Sequence, residues 1–253
     1  IRIHHLETGA TRLKIAAGQG EVNGLAVSPD GQLLASAGDD GTIRIWNLSN
    51  GEQTGMFQAH KRQAFQVAWS VDGQWLATCG NEVDVKLWSA RDFSLLETLS
   101  SEGNDLECLA IRASGDVAFG AEQGALTVIR PKFLETNPSD RLQQTGGTHR
   151  KKGPPGHCSN VAFSPSGSLI VAGREDGSVT LQSMLEEEPF FQELHFNDRV
   201  KSIAFSPDGQ KLAVGKIDGL VTVIPLESTL LKRELKLSEL LTDAEGNRAT
   251  LNN

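Results

Sequence analysis

Short runs of alternating apolar and polar residues, each closed by a turn signal, recur along the chain. Leu25-Ala26-Val27 leads into Ser28-Pro29-Asp30-Gly31, and Leu33-Leu34-Ala35-Ser36-Ala37 follows at once. Asp39-Asp40-Gly41 separates that run from Thr42-Ile43-Arg44-Ile45-Trp46, which has the period-2 pattern of a strand with one wet face. The turns are legible in the same way, since Pro presets one backbone dihedral and Gly supplies a positive one. A shorter fourth strand is expected after the third, at Gly55 to Gln58 in one unit and Leu95 to Leu99 in the next. The pattern predicts antiparallel four-stranded sheets and an all-β fold class.

The unit repeats. Leu25-Ala26-Val27-Ser28-Pro29-Asp30-Gly31 recurs as Val67-Ala68-Trp69-Ser70-Val71-Asp72-Gly73, as Val161-Ala162-Phe163-Ser164-Pro165-Ser166-Gly167 and as Ile203-Ala204-Phe205-Ser206-Pro207-Asp208-Gly209. A worn copy, Leu109-Ala110-Ile111-Arg112-Ala113-Ser114-Gly115, sits in the middle. The closing glycines are spaced by 42, 42, 52 and 42 residues, so one period carries ten extra. Four strands in about 42 residues is the size of one propeller blade.

These residues resemble the WD-repeat β-propeller family, whose unit runs Ser-Pro-Asp-Gly, Leu-Ala-Ser, Asp-Gly, then an apolar strand ending in Trp and Asp. The likeness covers nearly the whole of 1–253, although Asn47 follows Trp46 and Ser89 follows Trp88 where the family has Asp. The resemblance implies a β-propeller of four-stranded antiparallel blades, with five full repeats plus a partial N-terminal blade. It also implies a buried tetrad of His, Ser/Thr, Asp and Trp within a blade. The second unit fits this best, with His60, Thr78, Glu82 in place of Asp, and Trp88. The first has Ser36, Asp40 and Trp46, with Gly18 at the expected His position. In the last two units Ala172 and Val214 replace Ser/Thr, and Gln182 and Ile224 replace Trp, so apolar packing and ladder bonds must hold those blades.

The ends and one insertion break the pattern. Ile1 to Gly9 aligns without a gap on Ile43 to Gly51, so the chain opens at a blade's third strand. Leu226 to Lys236 aligns with Leu48 to Gln58 and would complete the fifth blade. Residues 237–253 would supply either closing strands that pair with Ile1 to Ile15 or a tail. The result is a six-bladed ring or part of a seven-bladed one. The start at Ile1 and the shortfall against seven periods make a piece of a larger protein the expectation. Residues 131–156 read as an irregular insertion between blades, with Lys132, Arg141, Arg150, Lys151 and Lys152 against Glu135 and Asp140.

Composition narrows the function. The net charge is −8, which argues against a general nucleic-acid binder. No stretch approaches the ~18 apolar residues of a membrane-spanning helix. Three scattered cysteines, Cys79, Cys108 and Cys158, do not make a disulfide framework and point to a reducing, cytoplasmic setting. The chain has no nucleophile elbow, phosphate loop or His-Glu-x-x-His motif, and no metal or cofactor is expected. The repeated Asp40, Asp176 and Asp218 each close the same tight turn, which accounts for them without acid–base chemistry.

The expected function is a non-catalytic scaffold that docks protein or peptide partners on one rim. On the family resemblance, the contact residues are Lys61, Arg62 and Phe65 from an inter-blade loop and Asn81, Glu122, Arg174 and Lys216 from the inner turns. Two other classes stay open: a propeller enzyme with a central-channel site, and anion or nucleic-acid contact through Arg150-Lys151-Lys152. No small-molecule substrate is suggested.

Overall fold

The computed structural model describes residues 1–100, 106–121, 125–134, 149–152, 157–184, 191–226 and 250–251. An initial pair, β1 (Arg2–His4) and β2 (Thr11–Lys14), precedes the first blade of β3 (Val22–Val27), β4 (Leu33–Gly38), β5 (Thr42–Asn47) and β6 (Gln53–Gln58). The second blade is β7 (Ala64–Trp69), β8 (Trp75–Gly80), β9 (Asp84–Ser89) and β10 (Leu95–Ser100). The third is β11 (Leu106–Ile111), β12 (Val117–Ala121), β13 (Ala125–Ile129) and β14 (His149–Lys152). β15 (Cys158–Phe163), β16 (Leu169–Arg174), β17 (Ser178–Ser183) and β18 (Phe191–His195) form the fourth. Of the fifth, β19 (Val200–Phe205), β20 (Lys211–Lys216) and β21 (Val221–Pro225) are described. The expected outer strand within 226–236 lies outside the described residues, apart from Leu226.

The turn chemistry read from the sequence holds each blade's first hairpin. Gly31, Gly73, Gly115, Gly167 and Gly209 all adopt φ between 69° and 93°, the left-handed region that only Gly enters without strain. The preceding serine hydroxyl serves two partners. Ser28 Oγ donates to Asp30 Oδ1 at 2.5 Å and accepts from the Leu33 N–H at 2.9 Å, and Ser70 and Ser206 repeat the arrangement. In all five blades the innermost strand carries a register irregularity two or three residues into its pairing, as at Val22/Gly24 and Ala64/Gln66. Such an irregularity increases the local twist of a strand.

The core is distributed between blades rather than gathered at a centre. Ala35, Ile43 and Ile45 of the first blade pack on Val67, Leu76 and Trp88 of the second. Leu87 and Leu99 meet Leu106 and Phe119 at the next junction, Leu126 and Val128 meet Val161 and Ile170 at the third, and Val179 and Leu181 meet Ile203 and Leu212 at the fourth. Leu13, Ile15 and Ala17 cover Leu34 and Trp46 of the first blade. Each Leu or Ile so buried contributes about 1.5–3 kcal/mol. Every residue of β8 and β17 is buried, because those strands are covered on both faces.

One expectation needs correction. The insertion 131–156 is not all irregular connection between blades, because within it His149–Lys152 is β14, the outer strand of the third blade, and pairs with β13 from Ala125↔Lys152 to Val128↔His149, while 135–148 and 153–156 lie outside the described residues. The insertion therefore lies inside the blade. A single 3-10 turn at Lys132–Leu134 leaves β13 and sets Phe133 edge-on to Trp75, 5.6 Å between ring centroids. Lengthening such a connection costs little entropy, so the outer strand can be delivered late. At the C-terminus, Thr250–Leu251 (β22) pairs with His195 and Leu194 of the fourth blade and not with Ile1 to Ile15. The rest of 237–253 lies outside the described residues. Among the described residues no helix is long and apolar enough to cross a membrane.

Candidate functional site

The second blade's tetrad is a directed hydrogen-bond chain. Trp88 Nε1–H donates to Thr78 Oγ1 at 3.0 Å, and Thr78 Oγ1 lies 3.0 Å from His60 Nε2. His60 Nδ1 lies 3.2 Å from Glu82 Oε2, which also accepts from Lys86 Nζ at 2.8 Å. Each group is satisfied when the imidazole is neutral and carries its proton on Nδ1, since Thr78 can then donate to Nε2 while it accepts from Trp88. Burial, and then the Lys86 charge, hold the His60 pKa below its ordinary 6.5, against the opposing pull of Glu82. Burial works against ionising Glu82, but Lys86, the Lys61 N–H and His60 outweigh it and bring its pKa to about 2.

The first blade builds the same chain from a residue that its repeat alignment passed over. Trp46 Nε1–H donates to Ser36 Oγ at 2.8 Å, and Ser36 donates to Gln19 Oε1 at 2.6 Å. Gln19 Nε2 then donates to the Thr42 carbonyl and hydroxyl, and Thr42 donates to Asp40 Oδ1 at 2.6 Å. Arg44 closes the chain on Asp40 Oδ2 at 3.0 Å, as Lys86 does on Glu82. Gln19, not Gly18, therefore fills the His slot. The one-residue offset is allowed by Gly18 and Gly20, at φ of 62° and 74°. A signal existed in the sequence, because Gln is the only amide or imidazole beside the expected position.

These buried chains suspend the rim above them. Lys61 N–H donates to Glu82 Oε1 at 2.9 Å, so the inter-blade loop is fixed while the Lys61 and Arg62 side chains stay exposed. Arg62 reaches Asn81 Oδ1 at 3.3 Å, whereas Phe65 is half-buried and lies in β7 rather than in the expected inter-blade loop. Next to them Asp39 Oδ1 accepts from Asn23 and from Gln63, tying the first two blades together along the same edge. Between the later blades Glu175 meets Lys201 Nζ at 2.9 Å and His157 Nδ1 at 3.6 Å, while His157 Nε2 lies 2.9 Å from Glu107.

Two expected rim residues lie inside. Arg174 and Lys216 are 1% and 5% exposed, because they end the second strand on its inward side and the next residue, Glu175 or Ile217, faces out. Their repeat position is Gly38 in the first blade and Gly80 in the second, where a Cβ would strike Gln19 or His60 and the Gln63 carbonyl. Lacking a tetrad, the fourth and fifth blades carry a long cation at this position instead. Arg174 Nη1 donates to Thr180 Oγ1 at 3.2 Å, and Lys216 Nζ lies 3.3 Å from both Asn197 Oδ1 and Asp218 Oδ2. Asp39 and Glu175, one residue beyond the glycine and its Arg174 counterpart, were missed. Glu122 lies outside the described residues. Among the described residues no group of three His, Cys, Asp or Glu side chains converges as a metal site.

The sequence is similar to those of known proteins. The family described as WD domain, G-beta repeat, matches residues 11–47 and 51–89, and that described as Anaphase-promoting complex subunit 4 WD40 domain matches 161–241. The periodic tryptophan protein 2 homolog of Mus musculus is 32% identical over 163 residues, 64% of this chain and 17% of its own length. The small ribosomal subunit protein RACK1y of Oryza sativa subsp. japonica is 42% identical over 52 residues, 21% of this chain and 16% of its own. The ribosome biogenesis protein erb1 of Botryotinia fuckeliana is 44% identical over 48 residues, 19% of this chain and 6% of its own. The matches thus span less than a fifth of each of these relatives. Period, turn chemistry, blade architecture and family matches agree: this chain belongs to the WD-repeat β-propeller family.

Proposed function

We propose that the chain is a non-catalytic docking module that binds a protein or peptide partner on the rim around Lys61, Arg62, Phe65 and Asn81. One observation carries the reading. The strand pairing and the glycine-closed turns repeat from blade to blade, whereas the outward position at the end of the second strand changes from Asp39 to Asn81 to Glu175 to Ile217. Repetition below and variation above is how a repeat scaffold separates stability from specificity. The loop is also held before any partner arrives, since Lys61's own N–H is anchored on Glu82, and preorganisation lowers the ordering cost of binding.

The exposed Lys61 and Arg62 suit an acidic segment, with Phe65 supplying a partly covered apolar contact. Two relatives bear ribosomal names, so a multi-component assembly in a reducing compartment, cytoplasmic on the cysteine usage, is the setting we infer. The test is an affinity capture with the folded chain beside a Lys61→Glu/Arg62→Glu variant of matched thermal stability. A partner retained by the first and lost by the second supports the rim. Equal retention moves the contact elsewhere and overturns this assignment.

A further inference from the structure

Cys108 and Cys158 lie 50 residues apart in sequence, in the innermost strands of the third and fourth blades, yet their sulfurs are 3.4 Å apart. Both side chains are buried and neither is in a disulfide. Gly120, the ladder partner of Cys108, makes the approach possible: a Cβ there would lie 2.8 Å from Cys108 Sγ and closer still to Cys158. Arg174 is the ladder partner of Cys158, is itself 1% exposed, and has a buried Nε without a hydrogen-bond partner. Among the described residues no carboxylate pairs with it, and a buried guanidinium so placed is costly unless a negative charge develops beside it.

We propose that Cys108 and Cys158 are a redox-active dithiol that hydrogen peroxide, or a like two-electron peroxide, converts into a disulfide joining the third and fourth blades. The pair shares its first ionisation, and Cys158 is the sulfur that loses its proton. Once Cys158 is a thiolate the Cys108 S–H donates to it across the 3.4 Å contact, and that bond and Arg174 outweigh burial and the opposing charge of Glu107. Loss of the proton from Cys108 is opposed by the same hydrogen bond and by burial. The Cys158 thiolate attacks one peroxide oxygen and breaks the O–O bond. With one proton taken up, this yields a sulfenic acid and water. Cys108 Sγ then attacks Cys158 Sγ, the S–O bond breaks, and the hydroxyl leaves as a second water with the Cys108 proton. In sum, two thiols and one peroxide give one disulfide and two waters, each sulfur losing one electron. The sulfurs must close from 3.4 Å to about 2.0 Å to form the bond. In a reducing compartment such a bond acts transiently, as a sensor.

The three cysteines fall in separate tryptic peptides, 63–86, 92–112 and 153–174, so the linkage can be read directly. The folded chain is treated with hydrogen peroxide, then denatured in acid with N-ethylmaleimide, digested and weighed. The expected product is 92–112 joined to 153–174, less two hydrogens, with Cys79 alkylated. The linkage disappears in Cys158→Ser and in Cys108→Ser, and forms about tenfold more slowly in Arg174→Gln, with Arg174→Lys restoring the rate. Recovery of Cys108 and Cys158 as separate alkylated or over-oxidised peptides overturns the proposal, as does a link to Cys79 or one that forms only in urea. The wild-type map decides the matter even if a variant fails to fold. An Arg174→Gln rate equal to wild type removes Arg174 from the device.

Discussion

His60 Nε2 lies 3.0 Å from the hydroxyl of Thr78, and that contact works only with a neutral ring. An imidazolium would donate from both nitrogens, leaving the Thr78 proton without an acceptor, since Trp88 Nε1 already donates to the same oxygen. His60 therefore titrates below 6.5 in the fold, and the unfolded chain takes up its proton first as the pH drops. The stability this group lends is complete above pH 6.5 and is lost progressively below it. Glu82 acts lower on the scale, with a pKa of about 2 against an ordinary 4.5, so its contribution fades as the pH falls from 4.5 towards 2. Urea midpoints measured from pH 7.5 to 3 should fall in two stages. His60→Gln should flatten the upper stage and Glu82→Gln the lower. A midpoint independent of pH from 7 to 5 would contradict the neutral-ring assignment.

Thr78→Val keeps the shape but strands the Trp88 N–H and the His60 acceptor in a fully buried place. Each unsatisfied group costs about 1–3 kcal/mol, and for a chain of this size each kcal/mol lowers Tm by about 2–4 °C. Gln19→Leu should show a similar loss in the first blade, where Gly18→Ser, in a position at φ 62°, destabilises through backbone strain, its Cβ also coming to 3.4 Å from Arg44 Nη1. Calorimetry of the three variants separates these effects. If Gln19→Leu is silent, the first-blade chain is not a stabilising element.

Phe93 holds φ 58° where the equivalent turn of the first blade has Gly51, and its ring stacks on Phe57 at 5.1 Å. The ring also lies over Gly55, where a Cβ would meet its edge at 2.5 Å. Gly55→Ala should cost about 1–3 kcal/mol from overpacking. Phe93→Gly relieves the backbone but loses the stack, and in the double variant the Gly55→Ala penalty should vanish. A denaturant double-mutant cycle measures the coupling, and additive losses would show that the two positions do not meet.

The Ser28 hydroxyl both donates to Asp30 and accepts from Leu33, so Ser28→Ala breaks two bonds of one turn. A loss of about 1–2 kcal/mol is expected. Ser166 stands where the turns of the first, second and fifth blades have Asp, and its bond to Ser164 is longer than that of Ser28 to Asp30, at 3.1 Å. Ser164→Ala should therefore cost less than Ser28→Ala. Chemical denaturation of the pair checks the order, and an inverted ranking would mean that the acceptor's charge does not set the strength of this turn.

Whatever repeats locally is legible from the residues alone. Pro29, Asp30 and Gly31 specify a turn from their own dihedral preferences, and the alternation in Thr42 to Trp46 specifies a half-wet strand. The five-fold recurrence then implies blades. The His60–Thr78–Glu82–Trp88 chain was legible because all its members lie within a single repeat. Tertiary structure alone decided what depends on inserting or aligning one segment against a distant one. Gln19 replaces the expected histidine after a one-residue slip that two positive-φ glycines absorb. Arg174 and Lys216 turn inward because side chains alternate across a strand, so a one-residue difference in the repeat alignment exchanges the core for the rim. His149–Lys152 becomes an outer strand because pairing with β13 needs only a free ladder edge. Cys108 and Cys158 meet for the same reason: 50 residues of chain carry no distance information until two blades pack face to face.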